Sequence, residues 1–538
     1  MKNSLTRRNF LSSTVLLGAM SGVAMLLPSM SLHAQEATPK GGDVTLLVNP
    51  EPSSLTSLTT TGGAERKISP KITEGLLAYD FDLTPKPQLA KEWSVSDDGL
   101  TYRFKLREGV KWHDGKPFTS ADVAASIKIL KESHPRGRTV FANVTKVDTP
   151  SEHEAVVLLS KPAPYLISAL AASESPIVPA HIYSDGDVKS NPANIAPVGT
   201  GPFRFVEWVR GSHVVLERNP DYWDGDKPHI DTLIIRFIAD AGARAAALET
   251  GELDLAGENP VPIADLARLA ALPNLEITDL GYSYNANGRR MEFNLQKELF
   301  ANPLVRQALA HAINRRQIVD SVYLGRATPA FSPINEQITR FFTDDIEHYD
   351  FDTSRSEALL DQAGYPRRDG GMRFSVTLDF NPYGPDYGAI ANVLRSQFAA
   401  IGVDVTVRAQ DFPTYVKRIF TDRDFDFHIT GMSNLFDPTV GVQRIYWSKS
   451  FQPGVPFSNG SAYKNQEVDR LLEAAAIEID EAKRREQFVK FQKITAVDIP
   501  NVNLVSIKEY TVANKRVKNH TVTADGLSGN FSELYVTE

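Results

Sequence analysis

The chain of 538 residues contains no cysteine. That absence excludes disulfides, thiolate metal sites and a cysteine nucleophile, and leaves apolar burial to hold the fold together. Past the first 34 residues no apolar run approaches the roughly 20 residues that cross a bilayer. Low-complexity linkers and internal repeats are missing as well. So are the compact signatures of catalysis: there is no G-x-S-x-G elbow, no H-E-x-x-H pair and no Walker loop. The segment GTGPFRF lacks the third glycine of a dinucleotide fingerprint. Eleven histidines are scattered without ligand spacing, which gives a metal role no support. His113-Asp114 beside Gly115 reads as a turn aspartate bonding its own backbone. Asp422, Asp424 and Asp426 imitate the start of a calcium loop, but the required glycine and downstream glutamate are lacking. Their alternation with Phe425 and Phe427 predicts the outer face of a strand. No catalytic residue, metal ligand or cofactor is expected.

The amino terminus is positive and then apolar. Arg7 and Arg8 precede Asn9, Phe10 and Leu11, and the run from Val15 to Leu27 is broken by Gly18, Ser21 and Gly22 before Leu32-His33-Ala34. This is the pattern of a twin-arginine export signal, cut after Ala34. The segment carries Lys2, Arg7 and Arg8 and no acid, so its removal takes the formal charge from −8 to −11. An acidic exported chain disfavours nucleic acid and anionic lipid as partners. Its length exceeds what one core supports, and two or three lobes are expected.

What the chain does contain is strands and helices in alternation. In TYRFKLR, Tyr102, Phe104 and Leu106 alternate with polar residues, the period of a half-buried strand. HDGKPF then turns the chain, and Thr119 or Ser120 can cap a helix carrying Val123, Ile127 and Leu130. GTGPFRFVEWVRGSHVVLERNPDYWDGDKPHIDTLIIRFI reads as a three-stranded meander, followed by a helix ending at Gly251. NPLVRQALAHAINRRQIVDSVYLG keeps helical spacing up to Gly325. RFSVTLDFN, YGAIANVLRSQFAAIG and VDVTVRAQD predict a parallel pair with a crossover helix. DFDFHITGM reads as a strand, NQEVDRLLEAAAIEIDEAKRREQFVKFQKITAV as two helices and NVNLVS as a return strand.

Residues 85 to 131, together with GTGPFRF, LERNPDYW, ALETGELDL, NPLVRQALAHAINR and SAYKNQEVDRLLEAA in that order, resemble the landmarks of the family 5 extracellular solute-binding proteins. The resemblance covers nearly the whole chain after the signal. It implies an α/β fold: a two-lobed periplasmic-binding-protein clamp of type II, cluster C, with an extra domain inserted in lobe I. By the same resemblance, lobe I takes residues 35–75, 200–283 and 500–538, lobe II takes 76–199, and lobe III takes 284–499. It also implies a monomeric periplasmic receptor that closes on a solute between lobes I and III and delivers it unaltered to an ABC importer permease.

Solute specificity is expected where the chain departs from peptide-binding members. They carry an acid four places before a proline to pair with the peptide ammonium, and here that place holds Asn434, in the run Ser433-Asn434-Leu435-Phe436-Asp437-Pro438. Asp437 either stands in for that acid or serves as a turn residue. Dipeptide-type members place an arginine after the RFSVTLDF-like strand, where this chain has Phe380-Asn381-Pro382-Tyr383. With both anchors missing, an opine-like, glycosidic or other amino-acid-derived solute is the first expectation; an oligopeptide or dipeptide is the second and a secreted hydrolase a remote third. Tyr383, Phe436, Tyr446 and Trp447, with Tyr282 and Tyr284, offer aromatic surface, about half of it expected to be packing. Arg289 suits an anionic group, as does Arg290 beside it. The loop Thr59 to Gly63 presents hydroxyls and amides through Thr60, Thr61 and Gly62.

Overall fold

The computed structural model describes residues 38–538, and the segment Pro39–Glu538 forms one compact unit. The expected export signal and its cut after Ala34 lie outside the described residues. Three sheets organise the unit, each built from the segments that alternate in the sequence.

The first sheet has seven strands in the order Leu275–Thr278, Thr511–Asn514, Leu255–Ala256, Asp43–Leu47, Thr232–Arg236, His213–Arg218, Phe203–Val209. Its last three members are the antiparallel meander expected from the run between Phe203 and Arg236. Helix Ala241–Thr250 follows, stopped by Gly251 in the left-handed conformation (φ 79°) that a side chain would resist. The second sheet has four antiparallel strands: Ala90–Val95, Thr101–Leu106, Glu154–Leu159 and Val144–Ser151. Tyr102, Phe104 and Leu106 all point into its core, as their alternation requires. Helix Ser120–Ser133 covers it, with the Thr119 amide donating to Asp122 Oδ2 at 2.8 Å. Lys116 N donates to Asp114 Oδ1 at 3.2 Å as the turn reading expects. Asp114 Oδ2 also meets His181 Nε2 at 2.7 Å and His113 bonds the Gly199 and Gly201 backbone, so the pair is fixed by distant segments as well as by its own turn.

The third sheet has six strands in the order Ala327–Pro329, Asn501–Ile507, Asn287–Phe293, Phe427–Ser433, Phe374–Phe380, Val403–Arg408. The last two are parallel, joined through helix Pro385–Ala400 as the β-α-β pattern requires. Three local differences from sequence reasoning have physical causes. The helical run from Asn302 is two helices, Pro303–His311 and Arg315–Val322, because Asn314 turns aside to accept a hydrogen bond from the Gln317 amide and starts a new helix. Asp422, Asp424 and Asp426 precede the strand that starts at Phe427. Asp426 accepts from the Thr377 amide and hydroxyl, both at 2.8 Å, and Asp424 pairs with Arg408. The return strand Asn501–Ile507 pairs with Asn287–Phe293, so it completes the six-stranded sheet instead of opening the last segment of the seven-stranded one.

The chain passes between the seven- and six-stranded sheets through residues 279–286 and 508–510. Around the four-stranded sheet it leaves after Ile72 and returns at Gly199-Thr200-Gly201. There the backbones touch: a Cβ on Gly199 would lie 1.8 Å from the Ile72 carbonyl oxygen. The buried Glu74 beside this crossing accepts from Tyr222 (2.8 Å), Trp223 (2.7 Å) and Thr200 (3.0 Å), which ties the GTGPF and NPDYW segments to one carboxylate.

Candidate functional site

An open cleft of about 980 Å³ lies over the carboxyl end of the strand Phe427–Ser433. The six-stranded sheet and the loops 434–458 provide most of its wall; Thr61, Glu509 and the Pro135–Thr139 turn complete it. That volume is at the top of the range for small-molecule pockets.

The wall is rich in guanidinium groups. Arg289 and Arg290 are neighbours on one strand, and the register against Asn501–Ile507 slips between them, a bulge of the kind that re-aims side chains. Both reach the cleft. Arg289 is held by Asp386 (2.7 Å) and lies over the Tyr387 ring at 4.2 Å. Arg290 is buried, donating to the Gly431 carbonyl at 3.0 Å and to Glu292 at 3.2 Å. Arg136 arrives from the four-stranded body, fixed by Glu174, with Nε at 2.6 Å from Oε2. Arg444 differs from the other three. It donates to the carbonyls of Gly441 and Phe457, and among the described residues no carboxylate lies within ion-pair distance. Burial, then repulsion from Arg290 and Arg136, pushes its pKa down to about 10. An arginine so placed is stabilised by an incoming anion.

The sequence-predicted residues divide clearly. Thr61, Arg289, Tyr383, Ser433 and Trp447 line the cleft. Tyr383 stands at the rim, 79% exposed, and Trp447 donates its indole N–H to Glu473 at 2.9 Å. Thr60 and Gly62 do not line it. The Thr60 hydroxyl accepts from the Gly62 amide, and its carbonyl accepts from His134 Nε2 at 3.1 Å. Asn434 is buried, its Oδ1 accepting from the Asn335 backbone amide at 2.9 Å, which spends that oxygen on the scaffold. Tyr284 and Phe436 are core: their rings lie 4.9 Å apart, Tyr79 stacks on the far side, and Tyr284 donates to the Ser168 carbonyl. Tyr446 packs on Phe491. Tyr282 bonds Thr511 and the Glu258 amide near the crossing. Asp437 caps helix Pro438–Gly441 and meets Arg484 on both oxygens, so it is no substitute anchor for an ammonium group.

Sequence reasoning missed Arg136, Asn287, Tyr387, Arg444 and Glu509. Nothing in their neighbourhoods marks them, because the cleft is assembled from segments far apart in the chain. Among the described residues no group of three or more His, Asp or Glu side chains is placed to hold a metal, and no helix is long and apolar enough to cross a membrane.

Residues 84–497 match the profile of the bacterial extracellular solute-binding proteins, family 5, middle region. The oligopeptide-binding protein AppA of Bacillus subtilis is 30% identical over 478 residues, 86% of this chain and 85% of AppA. Its structure in complex with a nonapeptide superposes with a TM-score of 0.77, covering 93% of this chain and 100% of that one at 26% identity. The glutathione-binding protein GsiB of Salmonella typhimurium is 27% identical over 501 residues, covering 91% of this chain and 94% of GsiB. AgaA of A. tumefaciens R10, solved in complex with agropinic acid, is 27% identical with a TM-score of 0.74, covering 92% of this chain and 99% of that one.

Proposed function

The chain belongs to the bacterial extracellular solute-binding proteins of family 5, and from that premise we propose that it captures a peptide-class solute carrying a free carboxylate and hands it unaltered to the permease of an ABC importer. The observation that carries this reading is Arg444, a cation facing the cleft beside Arg136 and Arg290 with no carboxylate of its own. Charge-assisted bonds from such a group are worth roughly 1.5–3 kcal/mol each. Peptide-, oligopeptide- and glutathione-binding relatives favour the peptide class over the opine-like or glycosidic solute that the missing family anchors suggest. An acidic amino-acid derivative keeps support as a second reading, since AgaA is similar over most of the chain and an unpaired guanidinium suits any carboxylate.

The capture is noncovalent and the protein works as a monomer outside the cytoplasm. The Arg7-Arg8 segment supports export by the twin-arginine route with cleavage near Ala34. Closure would turn on the two crossings 279–286 and 508–510, short segments of the kind that absorb hinge rotation.

A thermal-shift panel tests the assignment. Pools of di- to pentapeptides, agropinic acid and simple glycosides are each added in excess, where a ligand at 100 times its Kd adds about 2.7 kcal/mol of stability. Peptide pools are expected to raise Tm; stabilisation by the glycosides alone would overturn the proposal.

A further inference from the structure

Among the described residues lining the cleft, Glu509 is the only acid. It stands on the short crossing 508–510, between a strand of the six-stranded sheet and a strand of the seven-stranded one. Its Oε1 accepts from Asn287 Nδ2 at 3.1 Å, and Asn287 Oδ1 in turn accepts from the Ser433 hydroxyl at 2.5 Å. The carboxylate is therefore aimed by two cleft-lining residues. Asn287 is its one hydrogen-bond partner among the described residues, which leaves Oε2 without a partner on a residue that lines the cleft.

The charged and titratable groups around it are Glu258, Lys67, Arg289 and Tyr282, with Arg66 and Asp525 across a small void lined also by Tyr284. Each cation in that set has another carboxylate: Lys67 has Glu258 at 3.2 Å, Arg289 has Asp386 at 2.7 Å, and Arg66 has Glu174 at 3.0 Å. Among the described residues no cation lies within ion-pair distance of Glu509. Burial and the nearby Glu258 raise its carboxyl to about 7, so near neutrality an arriving cation would draw it into the ionised form.

We propose that Glu509 receives the ammonium group of the solute while Arg444 receives a carboxylate, so that the cleft reads both charged groups of a zwitterionic peptide. The inference rests on the peptide reading above and adds to it the recognition of a free amine.

The test compares an equimolar tripeptide pool with the same pool N-acetylated, titrated into the purified protein and into Glu509→Gln by intrinsic fluorescence between pH 5 and 8.5. The wild type is expected to prefer the free-amine pool by about tenfold or more. Its apparent affinity should fall toward tenfold per pH unit below 7, as Glu509 must first ionise, and fall again above about 8, where the peptide amine loses its proton. Glu509→Gln should abolish both the preference and the acid limb while still binding the acetylated pool. If Glu509→Gln does not fold, Glu509→Asp carries the test: it should keep the acid limb and lose at least threefold of the preference. Equal binding of both pools by the wild type, or an undiminished preference in the variants, overturns the role of Glu509 and leaves the peptide reading standing. If neither pool binds, the peptide reading falls and this inference with it.

Discussion

Asp437 and Arg484 meet as a buried two-pronged pair, each guanidinium nitrogen 2.7 Å from its own carboxylate oxygen, although 47 residues separate them in the chain. The pair joins the loop that follows the strand Phe427–Ser433 to the helix Glu481–Asp498, so Asp437 shapes the cleft's wall without facing into it.

Asp437→Ala should accordingly act on stability. It strands a buried guanidinium and removes the hydrogen bond accepted from the Thr439 amide, and loss of one partner of a buried pair costs about 3–5 kcal/mol. Chemical denaturation is expected to show that loss, while calorimetry on the protein that remains folded gives unchanged solute affinity.

Arg444→Met should act on selectivity. The aliphatic stem is kept and the charge removed, so peptides with a free carboxyl terminus lose roughly tenfold to hundredfold in affinity while their carboxamides change little. Competition binding with matched acid and amide peptides measures the difference. An equal loss for both would make Arg444 a scaffold residue holding the Gly441 and Phe457 carbonyls.

Acid should weaken the fold through two histidines. His134 Nδ1 accepts from the Gly137 amide at 2.9 Å while Nε2 donates to the Thr60 carbonyl, and His113 repeats the arrangement between the Gly199 amide and the Gly201 carbonyl. A proton on Nδ1 would face a backbone N–H in both. Burial lowers each from 6.5 to about 4. Between those values the unfolded chain binds more protons than the folded one, so stability declines as pH falls through 6.5 and levels off near 4, by at most about 1.4 kcal/mol per pH unit for each ring. Tm measured from pH 7.5 to 4 should show this limb, and His134→Asn should make it shallower.

Gly281 lies in the first crossing at φ 86°, and a Cβ there would come within 2.4 Å of Gly526 Cα. Gly281→Ala is expected to cost about 1–3 kcal/mol from backbone strain. It should also reduce the compaction that small-angle scattering records when peptide is added to the wild type.

Much of the fold was legible because its signals are local. The alternation in TYRFKLR, the cap at Thr119, one of its two candidates, and the helix stop at Gly251 each act within a few residues, and each appears where expected. The clustered landmarks likewise pointed to the family that the profile match supports. The cleft was less legible. Asp437 beside a proline favours a turn residue and still leaves a ligand contact open until Arg484, far along the chain, is seen to hold it. Tyr284, Phe436 and Tyr446 carry the same ring chemistry as Trp447, and only packing separates buried rings from one that lines the wall. Arg444 in GVQRIYW looks like any polar residue of a short helix. Its character comes from having no carboxylate within ion-pair distance among the described residues, which no local pattern encodes.

The most direct test of capture without chemistry is native mass spectrometry of the protein purified from its producing cells, followed by release of whatever it carries. One bound solute per chain is expected, of peptide class and bearing a free carboxylate, with the same mass after prolonged incubation with the protein as before. A solute without a carboxylate, or one recovered with altered mass, would contradict the account.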